Sequence, residues 1–149
     1  MERIFILLMK KLLFKEPSKQ QIDFVSLILR VGFGLLMIPK HGWAKIQKFP
    51  ELSETFMNFM GLGSKISLGL VIFSEFFCSI LLILGLFTRA AVIPLIITII
   101  VIMNKHNWEF FGKQELVTAF MFGYLAIFFL GGGKYSLDHI LFKNKRRKY

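Results

Sequence analysis

Residues 22–46, IDFVSLILRVGFGLLMIPKHGWAKI, form an apolar helical run with an arginine, Arg30, set inside it. An arginine at membrane depth costs roughly 2.5 to 3.5 kcal/mol on insertion scales unless it is paired or wetted. The run therefore calls for a polar partner from another helix. His41 and Lys45 follow eleven and fifteen residues after Arg30. At about 100° per residue both fall within roughly 60° of its direction, so one face of the run is polar along its length.

Composition places that helix in lipid. The 149-residue chain is 55% hydrophobic, with 18 phenylalanines and a positive mean hydropathy, outside the range of soluble folds. The net charge of +10 comes from basic residues gathered just outside the apolar runs, where anionic lipid headgroups sit. That arrangement points to a bilayer and away from nucleic acid. Cys78 is the only cysteine and lies within an apolar run, so no disulfide or two-cysteine redox relay forms within the chain.

The order of segments predicts an all-α integral membrane protein, a bundle of four transmembrane helices. Residues 1–21 read as an amphipathic segment on the headgroup surface, ended by Pro17, without a signal-peptide cleavage site. Residues 22–142 form the membrane domain and residues 143–149 a basic tail. The first span runs from Ile22 to the Pro39 region, with Gly32 and Gly34 admitting a close neighbour. Residues 50–63 form an outer loop, and the second span runs from Ile66 to Phe87 around a single charge, Glu75. A third span, Ala90 to Asn104, and a fourth, Glu115 to Leu130, are short for a hydrocarbon core of about 30 Å. They could instead make a re-entrant pair. Gly131–Gly133 end the fourth span, and Ser136 or Asp138 is placed to cap a short interfacial helix through Phe142.

With both ends on the cytoplasmic side, twelve Lys and Arg residues lie inside and six outside. The positive-inside rule thus favours four spans and two cytoplasmic termini.

Four features in order resemble the DoxX family of small four-helix bacterial membrane proteins. They are LRVGFGLLMIPKHGWAKI with its arginine and glycines, the glutamate followed by LLILGLFTRAAVIPL, the polar end of the third span at Asn104, and GGGKYSLD at 131–138. The resemblance covers nearly the whole chain from residue 24. It implies a protein of the inner membrane and a link to quinol oxidation and membrane oxidoreductase complexes, with quinone as the associated cofactor and nothing covalently bound. Its partners would be the bilayer and an oxidoreductase protein or a second copy of the chain. A non-catalytic assembly subunit and an oligomeric small-solute carrier are the other function classes.

Two groups of polar residues are candidate sites. Counted along their helices, Arg30 lies about 12 Å and Glu75 about 18 Å above the inner ends of their spans, so the two are expected to pair. Such a pair would either fix helix register or line a cavity that holds a quinone carbonyl or relays a proton. His41, Lys45, Asn104, His106 and Glu115 form an expected outer polar layer, where histidine and glutamate could exchange protons with a quinol or simply meet water. No metal site is expected, since His41 and His106 lack a third ligand.

Overall fold

The computed structural model describes residue 9 and residues 15–142. The first helix, α1, spans Lys19–Gln47. Ser18 starts it through a capping box: its Oγ accepts from the Gln21 amide at 3.3 Å, and Gln21 Oε1 accepts from the Ser18 amide at 2.8 Å. Residues 19–21, expected in the surface segment, are thus the first turn of α1. The rest of the expected amphipathic segment and the basic tail fall largely outside the described residues.

Pro39 does not end α1. It offers no N–H to the helix, and the backbone answers by widening into a π-helical turn over Ile38–Trp43 before resuming as α-helix. A short helix α2, Phe49–Thr55, follows in the outer loop. Helix α3, Ser64–Leu84, contains a second π-helical turn at Phe73–Cys78 and stops at Gly85, whose φ of 69° is left-handed. Helix α4, Thr88–Lys105, passes through Pro94 without a break. Helix α5, Glu115–Leu130, ends at Gly131, and α6, Leu137–Phe142, closes the described chain.

Four of these helices are long and apolar enough to cross a membrane. At 1.5 Å per residue the 18 residues of α4 reach about 27 Å. With the 3-10 turn at Gly112–Gln114 leading into it, the last span is 19 residues long. Both are full crossings, and the re-entrant alternative is set aside. The helices pack in a ring, α1 on α3, α3 on α4, α4 on α5 and α5 back on α1. Met37, Leu82, Leu95, Ile99, Phe120, Tyr124 and Ile127 fill the centre. Phe24, Leu36, Phe77, Ile97, Phe122 and Phe129 point outward. Only 22% to 44% of each span's apolar window is buried by the protein itself, so the remaining apolar surface requires lipid.

Glycines set how closely α1 meets α3. A Cβ on Gly34 would lie 3.1 Å from the Ser79 carbonyl, and one on Gly42 would lie 2.9 Å from the Glu75 carbonyl carbon and oxygen. Gly32, expected to share this role, faces outward with nothing within 4 Å. Replacing Gly42 by Ala should cost about 1 to 3 kcal/mol through the backbone shift it forces. Gly32→Ala should instead be neutral or add about 0.5 to 1 kcal/mol of helix stability. Thermal unfolding of both variants in detergent checks the contrast.

Candidate functional site

The two π-helical turns face each other across the α1–α3 contact. A widened turn frees backbone groups and shifts the side chains beyond it, and such turns concentrate at functional sites. Here Gly42 lets the turns touch, and the shifted side chains meet: Lys45 Nζ donates to Glu75 Oε2 at 2.6 Å. The Glu75 side chain is 2% exposed and that of Lys45 22%. The pair is thus buried on the glutamate side and accessible on the lysine side. Next to it, Thr98 Oγ1 of α4 donates to Ser74 Oγ of α3 at 3.0 Å.

Both polar contacts line a cavity of about 530 Å³ between α1, α3, α4 and the outer loop. Its walls are otherwise mainly apolar, with Phe56, Phe59 and Phe73 among them, and Lys105 and His106 stand at its edge. Trp43 packs on Phe76, the residue after Glu75, with ring centroids 6.0 Å apart.

The expected pairing of Arg30 with Glu75 does not form. Arg30 is fully buried and reaches the opposite way, toward the end of the bundle that holds residue 19 and α6. Its Nη1 donates to the carbonyls of Leu82 and Ile83 at 3.2 and 3.3 Å, and its Nη2 to that of Tyr135 at 2.9 Å. The first two carbonyls belong to the last turn of α3, where the helix dipole is negative, and that of Leu82 also accepts from the Gly85 amide at 3.1 Å. They lie seven and eight residues beyond Glu75, about 10 to 12 Å along the helix. Backbone carbonyls, which depth counting does not weigh, hold the two terminal nitrogens of the arginine, and Lys45 takes the glutamate.

The expected outer layer is divided in the same way. Lys45 belongs to the ion pair, and His106 to the cavity edge. His41 is half-buried, with its ring 6.0 Å from that of Phe120, while Asn104 and Glu115 are exposed. Ser74 and Thr98 were not singled out from the sequence. Their signal is a hydroxyl on each of two apolar spans, with Ser74 adjacent to Glu75.

At the opposite end, the 131–138 segment is structural. Asp138 Oδ1 accepts from the Phe87 amide at 2.7 Å, and Oδ2 from the Thr88 amide and hydroxyl at 2.9 Å. It therefore caps α4, not α6. Ser136 caps α6 by accepting from the His139 amide at 3.2 Å. Among the described residues no group of three His, Cys, Asp or Glu side chains is placed to hold a metal ion.

A ring of four apolar spans with a buried ion pair on the wall of an internal cavity defines a multi-pass membrane protein. The DoxX family model matches residues 25–108, more than half of the chain, taking in α1 to α4 and every side chain of the Lys45–Glu75 site. The chain belongs to the DoxX family. No curated protein matches it. No solved structure matches it either.

The ion pair yields a test by double replacement. Lys45→Met or Glu75→Gln alone should destabilise the protein by roughly 2 to 4 kcal/mol, slightly under a fully buried pair because the lysine is partly exposed. The double variant should recover much of that loss. Arg30→Met combined with Glu75→Gln should show additive losses, because the two share no partner. Unfolding midpoints of the six proteins, wild type included, supply both cycles.

Proposed function

We propose that the protein binds a quinone or quinol in the cavity beside Lys45 and Glu75, as a component or subunit of a membrane oxidoreductase system. The observation that carries this reading is the Lys45–Glu75 pair on the wall of a cavity of about 530 Å³ whose other walls are mainly apolar. Ligand sites of this size commonly combine apolar walls with a few convergent polar groups. A quinone has a flat apolar ring, two carbonyl oxygens and an isoprenoid tail that partitions into lipid. The exposed side of the Lys45 ammonium can donate to a ring carbonyl. Glu75, as the carboxylate paired with Lys45, can accept a proton from a quinol hydroxyl, which leaves the ammonium free to hold a ring oxygen. Ser74 and Thr98 offer further hydroxyls, and the aromatic side chains flank the ring. Oxidation of a quinol releases two electrons and two protons; Glu75 takes up one proton, the second passes to water at the accessible side of the cavity, and both electrons pass to a redox partner.

Purification in a mild detergent, followed by lipid extraction and mass spectrometry, should yield a quinone in near-stoichiometric amount. A short-chain quinone added to the stripped protein should quench Trp43, which packs on Phe76. Lys45→Met and Glu75→Gln should each weaken that binding by about tenfold or more, equivalent to about 1.4 kcal/mol. Glu115→Gln, on an exposed residue, should leave binding unchanged. A stoichiometric protein partner without quinone would turn the assignment to an assembly subunit.

The same reading puts the protein in the inner membrane with both ends cytoplasmic, supported by the count along the sequence, twelve Lys and Arg in the segments that would lie inside against six in those outside. Single cysteines at Glu16 and Met60, both exposed, introduced after replacement of Cys78, should react with an impermeant maleimide from opposite faces. Reaction of both in intact cells or spheroplasts, or of neither, would reject that orientation.

A further inference from the structure

In the interior, three buried polar atoms find no hydrogen-bond partner among the described residues: Ser79 Oγ, Tyr124 Oη and Arg30 Nε. Ser79, Tyr124 and Arg30 are each fully buried. A buried hydroxyl without a partner is costly, and in a bilayer the missing partner must be protein or enclosed water.

These groups follow one another in space. Glu75, Ser79 and the Leu82 and Ile83 carbonyls that hold Arg30 succeed each other by about one turn along α3. Each turn advances about 5 to 6 Å, the length of two hydrogen bonds in series. The Ser79 level is also where Gly34 of α1 comes close, one turn after Arg30. Tyr124 enters from α5 at the same level, with its ring 5.9 Å from that of Phe33, the neighbour of Gly34, and 5.7 Å from that of Phe120. The titratable groups that share the carboxylate's cavity are Lys45 from α1 and Lys105 and His106 from the end of α4, and α4 also presents the neutral Thr98 to Ser74.

The far end is closed by charge. The Arg30 guanidinium is held by three carbonyls beneath Gly85, where a side chain would collide with it. Arginine keeps its proton under all ordinary conditions, and a fixed cation in a narrow passage excludes protons.

We propose that Glu75, Ser79 and Tyr124 enclose water and form a proton-exchange site reaching inward from the cavity, and that Arg30 closes this site before the opposite end of the bundle. A proton arriving from the cavity adds to the Glu75 carboxylate, neutralises it and leaves Lys45 without its counter-charge. It departs by the same route, and no electron moves. The site is a property of the protein whatever occupies the cavity, so it stands or falls separately from quinone binding.

Proteoliposomes containing a pH-sensitive dye, placed under an imposed potassium diffusion potential, test the closure. Wild-type protein should pass no protons above the lipid background. R30Q, verified as monodisperse, should raise the flux about tenfold or more by removing the fixed charge. Adding S79A and Y124F to R30Q should return it to background. A conducting wild type, or a folded R30Q that stays tight, would overturn the closure. Radiolytic footprinting of the wild type in detergent tests the water directly and needs no variant. Tyr124, although fully buried, should be oxidised at a rate near that of the exposed Tyr135, because hydroxyl radicals form in water held against it. Protection of Tyr124 to the level of a dry core residue would overturn the proposal.

Discussion

In hydrocarbon every polar group must find its partner inside the protein, and the structure follows from how two charges of opposite sign meet that demand separately. Arg30 is held by main-chain carbonyls at the end of α3. Glu75 is held by a lysine that reaches it only because α1 continues past Pro39. Had α1 ended at the proline, Lys45 would lie in the headgroup layer, and a carboxylate would stand unpaired in the middle of α3. The widened turn, the absence of a side chain at Gly42 and the ion pair thus form one arrangement. None of the three is understandable without the others.

Much of this was legible in the sequence. The four apolar runs, the start of the last span at Glu115 and its end at the glycines from 131 follow from periodicity, hydropathy and glycine placement. Arg30, Glu75 and Lys45 stand out in the sequence as charges within or beside the apolar runs. Their pairing was not legible, for a specific reason. Depth counted from helix ends places Cα atoms, whereas an arginine side chain extends several ångströms and can reach a carbonyl as readily as a carboxylate. Nor does hydropathy reveal a π-helical turn, which inserts one residue into a helix and rotates all that follow. The face on which Lys45 lies relative to Arg30 was read at a uniform 100° per residue, and the turn at 38–43 changes that phase.

The ends of the bundle differ in kind. At one end, hydrogen bonds tie distant parts of the chain together: Ser26 to the Gly131 carbonyl at 2.6 Å, the Lys134 amide to Asp23 at 3.1 Å, and Asp138 to the start of α4. The other end is spread around a cavity and a partly accessible ion pair. Rigid connection at one end leaves the opposite end as the place where helices can separate to admit a ligand from the lipid.

The tie at Asp138 also bears on how the protein is made. The amides of Phe87 and Thr88, and one donor of Arg30, are satisfied by residues 135–138, roughly fifty residues later in synthesis for the amides and a hundred for the arginine. Through most of translation the first three spans are in the membrane before those acceptors exist. A nascent chain of this protein therefore carries its own open hydrogen-bonding groups into the bilayer, where water, lipid headgroups or the insertion machinery must meet them until the last spans arrive. Tyr135 and Asp138 thus complete hydrogen bonds that α1 and the start of α4 leave open.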